Sequence, residues 1–386
     1  MVQLQAAVFT VISDADRGPG TLRDALEQAA ANGTATTDYI HFNVTRSRDY
    51  FIRIATNNPL PLLSSNLVID GTTQPSGRLG QSNARFMVGY EATYDNDNDP
   101  LVLFKLQGVT NVAIYGLHIK ANCINRNTGL QPAKMYAVQV QASSNIIVGD
   151  IDKGNVLTGW SHAIIDDQDD RFGRSGQITV KSNWFGLETD GVSTTYSGRN
   201  GGPTVNRFGF YTPLNSSITI GGASPAEGNI FNSSATDIFI QGIFIPAPSD
   251  HKVTIQQNKF GLDINDGLID QTTVSAITVR RMNLFLNNAE QPSPYIADNV
   301  IAGKSKLVGI QIDSVDTYFL LERNVLVGES NGEPYRDAFY GTGILVSNSL
   351  YGLIGGPSVA AGNTIRYWRN GAIVCNTTSS IDIKKQ

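Results

Sequence analysis

Four sets of residues in this sequence carry types and spacings that can do chemistry. The first is Asp166, Asp167, Asp169 and Asp170, clustered directly after the apolar run His162-Ala163-Ile164-Ile165. Hydrolysis of a glycoside needs two carboxyls in different roles, roughly 5 to 9.5 Å apart, which makes Asp166, Asp167 and Asp170 catalytic candidates. The same cluster, through Asp169, can instead hold calcium, or it is a solvated acidic loop. The second set is periodic: Glu188, Asp263 and Glu329 each fall five residues after an Asn, at 183, 258 and 324. The similar phrases Glu188-Thr189-Asp190-Gly191 and Asp263-Ile264-Asn265-Asp266-Gly267 point to a repeated turn. The third set is Asp95-Asn96-Asp97-Asn98-Asp99, whose alternating oxygen ligands suit calcium but lack the full EF-hand spacing, so an exposed loop is the competing reading. The fourth joins Trp184 with the planar and cationic groups Tyr196, Arg199, Tyr335, Arg336 and Tyr340. Flat rings pack on sugar faces while Arg and carboxylates bond hydroxyl or acidic groups. Alternatively, these aromatics fold back over their own coil.

Other chemistries lack their residues. His41, His118, His162 and His251 are scattered without His-x-x-x-His or a Cys/His cluster, which disfavours a transition-metal centre. Neither a nucleophile elbow nor a phosphate loop occurs. Calcium is the one cofactor the sequence admits, and none is required.

The elements that must position these residues are set by a phrase that recurs seven times, in which Asn precedes an apolar strand. Its Asn residues are 155, 183, 229, 258, 299, 324 and 363, at intervals of 28, 46, 29, 41, 25 and 39. A fixed phrase of this kind is the mark of a solenoid that grows by stacking units. Third strands are predicted at 162–165, 242–245, 276–279, 309–312, 343–346 and 371–374, with every second residue inward. The long intervals leave loops at 187–207, 262–275 and 328–341, expected on one flank about 9.6 Å apart, two strand spacings. Asn itself reads as a corner residue whose amide bonds to the copy in the next coil, forming a ladder.

The expected architecture is all-β: a right-handed parallel β-helix of about nine or ten three-strand coils, one domain over 1–386. Residues 1–36 give a first strand at 7–12 and a capping helix that starts after Thr21, shows Leu22, Ala25, Leu26, Ala29 and Ala30 on one face, and stops at Gly33. Residues 37–100 form irregular first coils with strands at 38–44, 50–54 and 66–70, and 101–386 the regular ones. Cys123 and Cys375 fall roughly seven coils apart, about 34 Å at strand spacing, beyond any disulfide. Ser380 to Gln386 shows no cap, from which a further domain or partner is expected there.

With 386 residues, net charge −5 and 16% charged residues, the chain has no Lys/Arg block, so nucleic acid is not an expected partner. No apolar run is long enough for a membrane span, and Val-Gln-Leu-Gln-Ala-Ala after Met1 does not read as an export signal.

The stretches Gly18-Pro19-Gly20-Thr21-Leu22-Arg23-Asp24-Ala25-Leu26 and Ile69-Asp70-Gly71-Thr72-Thr73-Gln74-Pro75, and the Ile-Gly-Gly and Gly-Asn pairs at 220–229 and 354–363, resemble secreted bacterial right-handed parallel β-helix repeat proteins of the multidomain surface type. The resemblance covers nearly the whole chain. It implies an extracellular or cell-surface location and no particular reaction. The adjacent aspartates also resemble those of β-helix hydrolases of the polygalacturonase type, but the Gly-His-Gly and Arg-Ile-Lys partners are missing. β-Helix lyases of acidic polysaccharides use an Arg or Lys base, which adds Arg280 to the catalytic candidates, although Asp313 of the next coil stands beside it as an ion-pair partner. Register alignment places Pro246 and Arg280 at positions matching Asp166.

The reading that follows is a non-catalytic extracellular module, adhesin-like, that binds a polysaccharide or cell-surface glycan through Trp184, Glu188, Tyr196, Arg199, Asp263, Tyr335, Arg336 and Tyr340. A lyase or hydrolase of an acidic polysaccharide and a pure spacer are the alternatives.

Overall fold

The computed structural model describes residues 5–45, 49–94, 99–125, 132, 134–167, 175–194, 208–212, 217–233, 235–242, 252–269, 273–282, 292–302, 306–327, 341–356, 358–368, 370–376 and 380–384. The chain divides into two compact units, 1–206 and 207–386. In each, strands pair in parallel with strands one coil away and contribute in turn to three sheets, the connectivity of a right-handed parallel β-helix.

In the first unit the first sheet runs Val8–Val11, Asp38–Phe42, Leu67–Asp70, Thr110–Tyr115, Ser144–Val148 and Gln177–Val180. Its second sheet comprises Phe51–Arg53, Phe86–Tyr94, Leu117–Asn125, Val156–Thr158 and Trp184–Phe185, and its third Leu101–Gln107, Met135–Gln141 and His162–Asp166. Alternation builds the core: Ile40, Ile69, Ile114, Val148 and Val180 stand in one register row, all buried. Each such side chain contributes about 1.5–3 kcal/mol.

The helix Leu22–Asn32 packs Leu22, Ala25, Leu26 and Ala29 against the first two strands. Thr21 caps it by accepting from the Asp24 amide, and the Asp24 carboxylate in turn accepts from the Gly20 amide at 2.7 Å. The turn from Asp70 to Gln74 is structural as well. Asp70 accepts from the Thr72 amide at 2.9 Å, and Gln74 bonds both the amide and the carbonyl of Val44.

The second unit repeats the plan. Its first sheet comprises Ser217–Gly221, Val253–Gln256, Tyr295–Ala297, Phe319–Glu322, Tyr351–Ile354 and Ser380–Ile383; its second Ile230–Phe231, Lys259–Phe260, Val300–Ala302, Val325–Val327 and Thr364–Arg366. The third comprises Phe208–Thr212, Thr236–Gln241, Thr273–Arg280, Lys306–Asp313, Thr342–Ser347 and Gly371–Asn376. Phe231 stacks on Phe260 with centroids 5.2 Å apart. Gly221 has φ +82°, and a Cβ there would lie 1.8 Å from the Gln256 carbonyl oxygen, so the corner requires glycine.

One predicted strand is corrected. The run Gly242 to Ile245 looked like a third strand, but that strand is Thr236–Gln241, and 243–251 lie outside the described residues. Two apolar runs follow one another here, and only pairing with Thr273–Arg280 selects the first.

The Asn side chains line the corners. Asn155 Nδ2 donates to Asn183 Oδ1 at 3.0 Å in the first unit. In the second, Asn229, Asn258, Asn299 and Asn324 each donate to the next, ending on Asn363, at 2.9–3.0 Å. All seven are buried. Cys123 is buried and Cys375 exposed, and both are free thiols.

Candidate functional site

In the first unit's second sheet, His118, Val156 and Trp184 form one register row, and Lys120 pairs with Thr158 in the row two residues on. Leu117 and Ile119 point into the core, so His118 and Lys120 point outward. The turn 187–194 is closed by an antiparallel bridge between Leu187 and Thr194. Asp190 organises it by accepting from the Val192 and Ser193 amides at 3.0 and 2.8 Å. From this turn Glu188 reaches back over the sheet. Its carboxylate oxygens lie 3.1 and 3.4 Å from Lys120 Nζ and 3.7 Å from His118 Nε2.

His118 is buried despite its outward position, and Nε2 meets Thr158 Oγ1 at 2.9 Å while Nδ1 has no partner. Burial pushes its pKa down to about 4, with the Glu188 charge opposing and Lys120 reinforcing the shift. The imidazole is therefore neutral near pH 7, and Lys120 is a charged partner of Glu188. Trp184 is half-buried in the row beside them. A tryptophan face and a pinned carboxylate are groups that recognise sugars. His118 and Lys120 escaped the sequence reading; their only signal was two polar residues at outward positions of an otherwise apolar strand.

The matching turn in the second unit is bridged from Leu262 to Leu268. Asp263 Oδ1 accepts from the Asn265 and Gly267 amides, both at 2.7 Å, so this carboxylate shapes its own turn.

On the first unit's third sheet, Asp166 and Asp167 face opposite ways. Asp166 continues the inward row of Leu106 and Val140, is buried, and accepts from Ser175 Oγ at 2.9 Å. Asp167 Oδ2 accepts from Gln139 Nε2 at 2.8 Å and from Gln141 Nε2 at 3.4 Å. Strand alternation thus keeps the adjacent carboxyls from converging on one bond, which counts against them as a catalytic pair. The Oε1 atoms of both glutamines are buried acceptors without a donor.

Arg280 pairs in register with Asp313 as expected, and on its other side with Gln241, which corrects the alignment to Pro246. Its guanidinium donates to Gln241 Oε1 at 2.9 and 2.6 Å and lies 4.6 Å from the Phe239 ring centroid.

A further polar network in the second unit went unread in the sequence. Arg323 grips Asp298 with two bonds of 2.7 and 2.8 Å, touches Glu322, and donates to Tyr295 OH at 2.8 Å. Tyr295 OH in turn donates to Glu322 Oε1 at 2.9 Å. Burial raises the Tyr295 pKa, Arg323 opposing and Glu322 adding to it. Both carboxylates face the one guanidinium.

Asp99 is exposed just before Leu101–Gln107. Asp95, Asp97, Asp169, Asp170, Tyr196, Arg199, Glu329, Tyr335, Arg336 and Tyr340 lie outside the described residues. Among the described residues no three His, Cys, Asp or Glu gather into a metal centre, and no helix is long and apolar enough to cross a membrane.

These features define a right-handed parallel β-helix protein with polar and aromatic groups on the outer faces of its sheets. No family model matches the sequence, and no curated protein does. Among solved structures, the crystal structure of PfbA, a surface adhesin of Streptococcus pneumoniae, is similar over 97% of this chain and 93% of its own, at 12% identity and a TM-score of 0.39. A likeness that loose carries no argument about function.

Proposed function

We propose that this protein is a non-catalytic extracellular β-helix module that binds a polysaccharide or cell-surface glycan. The observation that supports it is the outer face of the first unit's second sheet, where Trp184 stands in register beside Val156 and His118, and Lys120 pins Glu188 at 3.1 Å. An outward ring and an immobilised carboxylate on one sheet face, separated by the Val156 strand, can engage the face of one sugar and the hydroxyls of the next with little ordering cost. The turn 187–194 completes the surface in this reading.

The test is a glycan array run with and without calcium, followed by calorimetry on the best ligand with Trp184→Ala. Binding that falls at least about tenfold, 1.4 kcal/mol, in the variant supports the reading. Silence across a broad array supports a spacer. Release of reducing or unsaturated ends from uronic-acid polymers, abolished in Asp167→Asn or Arg280→Ala, would replace the reading with catalysis.

A further inference from the structure

The outer face of the second unit's third sheet carries a polar row that the surface around Trp184 does not use. Gln241, Arg280, Asp313, Ser347 and Asn376 stand in register on successive strands. The first four directly follow Ile240, Val279, Ile312 and Val346, which are fully buried, so strand alternation turns the polar row outward. Arg280 and Asp313 are neighbours in it, one strand spacing of about 4.8 Å apart. Opposite charges so placed ordinarily pair across strands, yet among the described residues these two form no ion pair with each other.

Each is held from its far side instead. Arg280 Nε and Nη2 donate to Gln241 Oε1 at 2.9 and 2.6 Å, and the guanidinium lies 4.6 Å from the ring centroid of Phe239, on the same preceding strand. Asp313 Oδ1 accepts from Ser314 Oγ at 3.2 Å and from Asn348 Nδ2, just past the following strand, at 3.3 Å. Those bonds leave Nη1 of Arg280 and Oδ2 of Asp313 for other partners, and both side chains are half-buried rather than covered.

A donor edge and an acceptor edge fixed on adjacent strands select the charge of what binds. A uronate or sulfate drawn to Arg280 is repelled by Asp313, and an ammonium drawn to Asp313 is repelled by Arg280. A hydroxyl both donates and accepts, so a neutral sugar chain satisfies both groups with different hydroxyls. Hydrogen bonds to charged groups are the strong ones, and because neighbours already hold both side chains, little order is lost on binding. Ser347 and Asn376 continue the row with a hydroxyl and an amide.

We propose that Arg280 and Asp313 form a subsite on the second unit for an uncharged polysaccharide. The inference rests on the glycan-binding reading and adds to it a second location, apart from Trp184 and Glu188, and the chemical class of the ligand.

The experiment measures binding of neutral polymers (dextran, mannan, xylan and galactan) and of uronic-acid polymers (polygalacturonate and alginate) to the full chain by affinity electrophoresis and calorimetry. The parent chain is compared with Trp184→Ala, Arg280→Met and Asp313→Asn. At least one neutral polymer should bind, and Arg280→Met should weaken it about tenfold, in the parent and in the Trp184→Ala background alike. Asp313→Asn should gain binding to uronic-acid polymers, a change that loss of structure cannot produce and that reads the proposal even if Arg280→Met does not fold. Neutral binding that is the same in Arg280→Met as in the parent overturns the inference and leaves the Trp184 reading standing. Uronic-acid binding by the parent that equals that of Asp313→Asn does so too. Silence with every polymer overturns both.

Discussion

Lys120 Nζ lies 3.1 Å from Glu188 Oε1, although 68 residues separate them in the chain. Both are partly exposed, so the pair adds at most about 1 kcal/mol to stability. Its role in the proposed site is to hold the carboxylate over the sheet face that also carries Trp184. Lys120→Met should therefore leave the denaturation midpoint almost unchanged and weaken glycan binding about tenfold, measured by calorimetry. Equal affinity in the two proteins would remove Glu188 from the binding surface.

His118 makes stability depend on pH. The unfolded imidazole takes up a proton near 6.5 and the folded one only near 4, so the unfolded state binds more protons between these values and stability falls as pH drops through that window. The loss attributable to this group is roughly 3 kcal/mol. Urea melts at a series of pH values should show His118→Gln losing less stability than the parent chain between pH 6.5 and 4. Parallel curves would mean that the imidazole titrates normally.

Asn258 Oδ1 accepts from both the amide and the side chain of Asn229, and its own Nδ2 donates to Asn299. Asn258→Ala strands buried groups on two coils and should destabilise the second unit by about 2–4 kcal/mol. Chemical denaturation reads this directly, and a loss below about 1 kcal/mol would show that the corner relaxes around the missing amide.

Asp263 closes its turn on two amides. Asp263→Ala should speed hydrogen exchange at Asn265 and Gly267 and cost about 1 kcal/mol, with the rest of the unit protected as before. Glycan affinity that falls with it would assign this turn to the binding face as well.

Much of the architecture was legible because a β-helix repeats its local rules. The Asn phrase, the inward alternation and the Thr21 cap each depend on residues a few positions apart, so the fold class, the strands of most coils and the helix boundaries could be read along the chain. Contacts between coils were a different matter. Glu188 finds Lys120 and His118 only because the 187–194 turn folds back over strands laid down two coils earlier. Arg280 meets Gln241 rather than Pro246 because sheet pairing chose Thr236–Gln241 over the apolar run after it. Asp166 and Asp167, neighbours in sequence, were parted by the alternation of their own strand, one into the core and one onto the outer face. Side-chain period is local and follows from neighbours in the chain; register and the closure of turns over neighbouring coils are set by pairing across many residues and emerge only on folding.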